Sequence, residues 1–125
     1  MKDLRKNIRY QTLAKAKIEG VSEGETLLKD LSVTGCCVES TSYSEIKFNT
    51  LYKLEIIPES AAEIGTFHLV AESKWIRTGG YSGEIGFTIV ESPKGKQFQR
   101  YVDYLSWRYS QGSSMTGSSV PGPSI

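Results

Sequence analysis

Apolar and polar residues alternate through most of the chain up to Val90, and this period of two predicts β-strands rather than helices. Turn residues such as Gly20 and Pro58 separate the alternating runs, and the pair Gly79–Gly80 between two of them is typical of a hairpin. Six segments fit this description: residues 12–19, 26–31, 36–40, 51–57, 66–77 and 81–90. Such a set of antiparallel strands predicts a mostly β domain, either a closed barrel or a tight sandwich.

The period changes near the C-terminus. Ser92 followed by Pro93 is typical of a helix start. Apolar residues then recur every three or four positions, and we expect this stripe to pack on the barrel: Phe98, Tyr101, Val102, Leu105 and Tyr109. Residues 111–125 are rich in Gly, Ser and Pro, which predicts a disordered tail. The expected organisation is an arm over residues 1–11, a barrel with its helix over 12–110, and the tail.

Composition narrows the class of protein. The length of 125 residues suits one domain, and 15 Lys and Arg nearly balance 14 Asp and Glu. This balance argues against binding to long nucleic acid, which usually requires a basic excess. The chain has no apolar run long enough to cross a bilayer and no apolar leader, so we expect a cytoplasmic protein without membrane insertion. Cys36 and Cys37 are adjacent, which predicts small buried side chains rather than a disulfide.

Catalytic residues are not evident in the pattern. The single histidine, His68, falls in the middle of a predicted strand without a partner at metal-ligand spacing. The sequence has no nucleophile elbow and no Gly-rich phosphate-binding loop, and its carboxylates scatter over turns and strand faces. We therefore expect neither an enzyme nor a bound cofactor or metal.

Two short motifs carry the candidate binding chemistry. Arg5 and Arg9 lie four residues apart ahead of the first predicted strand, a spacing that by itself also suits a solvated basic terminus. Asp30, Ser32 and Gly35 form the pattern Asp-x-Ser-x-x-Gly between two predicted strands, where an ordinary polar β-turn would also explain them. Neither motif is specific when it is taken alone.

The two motifs in this order, on six strands and one helix, resemble the PilZ family of bacterial receptors for cyclic di-GMP. The family's RxxxR motif falls on Arg5 and Arg9, and its D/N-x-S-x-x-G motif falls on Asp30, Ser32 and Gly35. A tryptophan late in a long strand, with a Gly-Phe pair after the next hairpin, adds to the similarity: Trp75, Gly86 and Phe87. The resemblance covers residues 4–110 and implies a six-stranded antiparallel β-barrel with a C-terminal α-helix.

The resemblance implies that these five motif residues bind the nucleotide, and their chemistry suits it. Arg5 and Arg9 have guanidinium forks that fit phosphate oxygens and the O6 and N7 edge of guanine. The Asp30 carboxylate accepts from the guanine N1–H and N2–H₂ donors. Ser32 adds a hydroxyl contact to the base or the backbone, and Gly35 permits the tight turn and a close approach by the ligand.

Three further residues are candidates for flanking the ligand. In the PilZ family the residue before the first arginine influences whether one nucleotide or a stacked pair binds. Leu4 occupies that position in this chain and favours a single molecule, because leucine cannot donate to guanine. Lys6 adds electrostatic attraction, and Trp75 either flanks a base or belongs to the core.

The leading functional hypothesis is a receptor that binds cyclic di-GMP, orders its N-terminal arm and so alters contact with an unidentified downstream effector protein. The resemblance implies a role in motility, biofilm or virulence. One alternative is a PilZ-type interaction domain that docks on a motility or secretion machine without using the nucleotide. A third is a barrel for single-stranded nucleic acid, which requires a basic groove between aromatic platforms such as Tyr43, Tyr52, Phe67 and Tyr81.

Overall fold

The computed structural model describes residues 8–91 and 96–115, with side chains as far as Gln111. In chain order its strands and helix are β1 Tyr10–Gln11, β2 Lys15–Ile18, β3 Thr26–Leu31, β4 Gly35–Ser40, β5 Leu51–Ile57, β6 Phe67–Arg77, β7 Gly83–Glu91 and α1 Gln97–Met115. Short 3₁₀ turns, Tyr43–Glu45 and Ser60–Ala62, flank β5. The predicted mostly β class with one C-terminal helix is confirmed over the described residues.

The strands close into a barrel. Neighbouring strands follow the order β3-β2-β5-β6-β7-β4, and β4 pairs with β3 to complete the ring; the pairings are antiparallel. β1 lies outside this ring and pairs with β3. The described residues therefore form a six-stranded closed barrel with one outer strand, which confirms the barrel and rules out the sandwich.

The predicted strand over residues 12–19 is interrupted at its start. The hydroxyl of Thr12 donates to the Leu28 carbonyl at 2.5 Å and accepts from the Ala14 amide at 3.1 Å, so a side chain bonds where the β-ladder would otherwise continue. The chain consequently makes two short strands, β1 and β2, that pair with β3 at different places. Residues 10–11, expected in the arm, belong to the sheet.

The barrel interior is apolar, and α1 covers part of it. The alternation places the core side chains on the inner face, including Leu54, Ile56, Leu69 and Ile85. From the helix, Phe98, Tyr101, Val102 and Leu105 are buried, as predicted. Tyr109 was expected in the same stripe but is 60% exposed, and its ring instead packs edge-on against Tyr10 at a centroid distance of 5.7 Å.

The helix boundaries differ from the expected ones. α1 begins at Gln97, and the start signal at Ser92 and Pro93 lies outside the described residues. The helix runs to Met115, so residues 111–115 are helical and the tail boundary at 111 was wrong. An established helix gains one hydrogen bond for each added residue, and a single glycine costs only about 1 kcal/mol, so a Gly and two Ser do not stop it. Residues 116–125 lie outside the described residues.

Candidate functional site

One row of paired residues crosses the outer face of the barrel through five strands. Gln11 pairs with Asp30, Asp30 with Cys37, Cys37 with Gly86, and Gly86 with Trp75. Residues opposite each other in a sheet place their side chains on the same face. Asp30 of the second candidate motif and the tryptophan named with the PilZ resemblance therefore share one surface.

Two β-bulges determine which side chains reach this surface. In β3 the register shifts between Leu28 and Asp30, and in β6 it shifts between Ser73 and Trp75. Simple alternation would have placed Asp30 on the same face as buried Leu28, and Trp75 on the same face as buried Ser73. Because a bulge inserts one extra residue, both side chains face outward instead.

Arg9 and Asp30 meet on this surface. Arg9 Nη1 donates to Asp30 Oδ1 at 2.7 Å, and the two side chains are 48% and 28% exposed. β1 makes the contact possible because Tyr10 pairs with Leu31 and Gln11 with Asp30, which brings the residue before Tyr10 alongside β3. Arg5 lies outside the described residues, as do Leu4 and Lys6. Of the two predicted arginines, the structure describes only Arg9, and it contacts the second motif.

The Ser32 hydroxyl forms its hydrogen bonds within its own turn. The side chain is buried, and its Oγ accepts from the amides of Thr34 and Gly35 at 3.2 and 3.1 Å and lies 3.2 Å from the Gly35 carbonyl, to which it donates. The Ser32 amide also donates to the Gly35 carbonyl at 2.9 Å. Of the two contacts expected for this hydroxyl, the structure contains the one to the backbone. Ser32 thus shapes the turn that follows Asp30.

Gly35 is required by close packing. Its φ is not among the positive glycine angles, which occur at Gly20 and Gly80 in the described chain. A Cβ at position 35 would lie 2.6 Å from the Phe87 carbonyl oxygen and 3.5 Å from Arg9 Nη2. The absence of a side chain therefore lets the Phe87 carbonyl of β7 approach closely, whereas 3.5 Å to Arg9 would be an ordinary contact.

Trp75 lies across Gly86. A Cβ at position 86 would fall 2.1 Å from the indole ring, so only glycine leaves room for it there. The indole is 37% exposed, and the Arg77 guanidinium lies over it at 5.3 Å from the ring centroid. Trp75 therefore belongs to the outer surface and not to the core. An aromatic face bordered by an arginine can flank a planar base.

A network of charged side chains lies beside this row of residues, and the sequence did not predict it. Lys29 Nζ contacts Glu84 Oε2 at 3.0 Å and Glu39 Oε1 at 4.0 Å, and Arg77 Nη1 contacts Glu84 Oε1 at 3.1 Å. The hydrogen bond from Lys29 to Glu84 and their attraction raise the pKa of the lysine. Alternation gave no signal for this network, because Lys29 lies within the bulge and its partners come from other strands.

The two cysteines are free and buried, as predicted. They are neighbours on β4 and face opposite sides, Cys36 beside Phe87 in the interior and Cys37 beside Asp30 in the row. Burial raises the pKa of the Cys36 thiol to about 12 and that of Cys37 to about 11, and the Asp30 charge adds to both shifts. Both thiols are therefore protonated at neutral pH.

A groove of about 760 Å³ lies elsewhere on the barrel, along β2 and the loop that follows it. Its lining includes Lys17, Glu55 and His68, which are paired across β2, β5 and β6. His68 is an exposed residue on a strand face, as expected. Among the described residues no cluster of His, Cys, Asp and Glu could hold a metal ion. None of the described residues predicted to bind the nucleotide lines this groove.

Comparison with known proteins does not assign this chain to a family. Neither a scan against protein-family models nor a search of curated proteins found a match to it. Within residues 8–91 and 96–115, no helix has the length and apolar character needed to span a membrane.

Proposed function

We propose that this chain is a non-enzymatic receptor of PilZ type that binds cyclic di-GMP on the outer barrel surface around Arg9 and Asp30. The observation that carries the proposal is the 2.7 Å contact between Arg9 Nη1 and Asp30 Oδ1, which joins two motifs 21 positions apart in the sequence. A guanidinium and a carboxylate side by side on one surface match a ligand that carries both phosphate anions and guanine donor edges.

Both members of the pair keep binding capacity. A carboxylate offers about four lone-pair sites and a guanidinium five N–H donors, and their mutual hydrogen bond uses one of each. An exposed ion pair of this kind contributes only about 0–1 kcal/mol, so a ligand displaces or bridges it at little cost. The pair therefore holds the two groups ready for the ligand without blocking them.

The other motif residues contribute indirectly. Ser32 is buried and holds the turn, so its part in binding is to fix the direction of Asp30 rather than to touch the base. Gly35 leaves room for the Phe87 carbonyl of β7 and so lets the turn pack closely on that strand. Trp75 lies in the same row as Asp30, and a guanine packs on its partly exposed ring by displacing the Arg77 guanidinium that lies over it.

The signal we propose is an order change in the arm. Tyr10 and Gln11 are paired with β3, so we place the change in the residues before Tyr10, including Arg5. Ordering each residue costs about 1–2 kcal/mol, which the contacts of Arg5 with the nucleotide offset. The reordered surface then meets an effector protein in the cytoplasm, with consequences for motility, biofilm or virulence.

Calorimetric titration with cyclic di-GMP, cyclic di-AMP, GTP and a short oligonucleotide tests the proposal. We expect binding to cyclic di-GMP alone, weakened at least about tenfold in Arg9→Ala and Asp30→Ala, because each loses a charge-assisted hydrogen bond. Arg100→Ala and Glu23→Ala, at exposed positions, serve as matched controls and should bind normally. Equal affinity of the Arg9 and Asp30 variants with the native chain would refute this site.

A docking domain that does not use the nucleotide is the second candidate. It is supported by Trp107 and Tyr109, which expose 58% and 60% of their surface on α1. Exposed large aromatic side chains are common at protein-binding surfaces. Folded protein that binds none of the nucleotides in the titration would favour this function over the receptor.

A further inference from the structure

The strand that follows Arg9 needs support from outside the sheet. β1 contains only two residues and pairs with β3 along one edge. Short strands at a sheet edge detach easily, because few hydrogen bonds and little buried surface oppose their release. The exposed ion pair between Arg9 and Asp30 adds little, since such pairs contribute weakly in water.

Arg108 of α1 supplies that support. Its Nη2 donates to the backbone carbonyl of Gln11 in β1 at 2.9 Å, and its Nη1 donates to Glu59 Oε2 at 2.8 Å. One guanidinium fork thus connects the helix, β1 and the segment after β5. The ring of Tyr104 lies 5.8 Å from the Arg108 guanidinium carbon, which further limits its movement.

Glu59 is itself fixed to the core. Its Oε1 accepts a hydrogen bond of 2.6 Å from the hydroxyl of Tyr101, a residue with no exposed surface. A path of hydrogen bonds therefore runs from buried Tyr101 through Glu59 and Arg108 to the Gln11 carbonyl. Next to it, the rings of Tyr10 and Tyr109 pack edge-on at 5.7 Å and add a second contact between β1 and the helix.

We infer that Arg108 is a positioning residue for the ligand surface: by tying β1 to the barrel, it holds Arg9 over Asp30. Gln11 is the register partner of Asp30, and Arg9 lies two residues before Gln11. Restraining β1 before the ligand arrives lowers the entropy lost on binding, so affinity depends on a residue that does not touch the nucleotide. The affinity part of this inference rests on the proposed function, whereas the anchoring of β1 does not.

Arg108→Lys separates positioning from simple stabilisation. A lysine keeps the charge that pairs with Glu59 but lacks the planar fork that reaches two acceptors at once. We expect Arg108→Lys to retain the native urea midpoint, while the amides of Tyr10 and Thr12, which face β3 in the ladder, exchange about tenfold faster without ligand. Affinity for cyclic di-GMP should fall about five- to tenfold. Arg108→Gln should both speed amide exchange in β1 and lower the urea midpoint. The control Arg100→Lys, at an exposed position on the same helix, should change neither quantity.

Unchanged amide exchange at Tyr10 and Thr12 in folded Arg108→Lys would overturn the anchoring. If the amides exchange faster but the affinity for cyclic di-GMP stays native, Arg108 is not a positioning residue for the ligand surface. The anchoring of β1 by Arg108 would still stand. If the native chain binds no cyclic di-GMP, the proposed function fails, and the exchange measurement still decides whether Arg108 holds β1. In an Arg9→Ala background, Arg108→Lys should cause no further loss of affinity; an equal further loss would mean that Arg108 does not act through Arg9.

Discussion

Arg9 with Asp30 and Arg108 with Glu59 form two ion pairs of nearly equal length, 2.7 and 2.8 Å. Their surroundings differ. The Asp30 side chain is 28% exposed and that of Glu59 only 12%, and the Arg9 and Arg108 side chains are 48% and 33% exposed. The first pair lies on the outer barrel surface, whereas the second lies where α1 packs against β1 and the segment after β5.

The difference lies in how far each pair is satisfied by the protein. Both Glu59 oxygens accept hydrogen bonds, from Tyr101 and Arg108, and Arg108 also donates to Gln11. In the described part of the chain, the carboxylate of Asp30 has one such partner, Arg9. The same two functional groups therefore serve as an anchor where the fold supplies each with two hydrogen-bond partners, and as a candidate binding surface where the described residues supply one.

Removing the carboxylate of the less exposed pair should have the largest effect on stability. Glu59→Ala leaves the hydroxyl of buried Tyr101 and one arm of Arg108 without their partner. An unsatisfied buried donor costs about 1–3 kcal/mol, and we expect the free energy of unfolding to fall by about 2–3 kcal/mol in urea titrations. Glu23→Ala, at an exposed loop position, is the control and should stay within about 0.5 kcal/mol of the native chain. A loss as small as that of the control would remove the contrast between the two pairs.

Breaking the exposed pair of Arg9 and Asp30 should lower the free energy of unfolding much less. We expect Arg9→Ala to lower the free energy of unfolding by less than about 1 kcal/mol, because solvent already screens the pair. The loss should shrink further when the urea titration is repeated at high salt. A loss comparable with that of Glu59→Ala at either ionic strength would contradict the assignment of Arg9 and Asp30 to an available surface.

The smallest expected effect is electrostatic and concerns Cys37, the register partner of Asp30. Burial raises its pKa from 9.0 to about 11, and the Asp30 charge contributes next. The folded state therefore retains this proton more tightly than the unfolded chain. The stability that depends on the proton is present below about pH 9 and declines as the pH rises through about 11.

Asp30→Asn removes the Asp30 charge, which is the second cause of the raised Cys37 pKa. We expect the Cys37 pKa to fall but to stay above 9.0, because burial is the larger cause. A titration of thiolate ultraviolet absorbance in a Cys36→Ala background measures it, with Glu23→Gln as the control. An unchanged Cys37 pKa would mean that the Asp30 charge does not reach the thiol.

Local chemistry made much of the fold predictable. Alternation up to Val90 and the turn at Gly79–Gly80 identified the strand regions, and the three- to four-residue stripe from Phe98 to Leu105 identified the buried face of the helix. These features depend on near neighbours in the sequence, which is why a periodic pattern reveals them. Arg9 and Asp30 were predicted to share one site from the resemblance of the two motifs to the PilZ family, because neither motif is specific alone.

The alternation of apolar and polar residues could not predict that the side chains of Asp30 and Trp75 face outward. Both follow β-bulges, and without them both side chains would lie on the inner face. A bulge is a property of two paired strands, so one strand's sequence does not reveal it. The hydroxyl of Ser32 is a similar case: its residue type allowed a contact to the base or to the backbone, and only the fold shows the backbone contact within the turn.

By itself, then, the sequence determined the strand regions, the buried face of the helix and the residue types of the proposed site, because alternation, turn residues and side-chain chemistry act over short distances. Only the tertiary structure decided which of these groups meet: the closure of β4 on β3, the contact of Arg9 with Asp30, and the reach of Arg108 to Gln11. Arg108 and Gln11 are 97 positions apart. Contacts across such separations depend on how strands and helix pack together, which no local pattern of residues encodes.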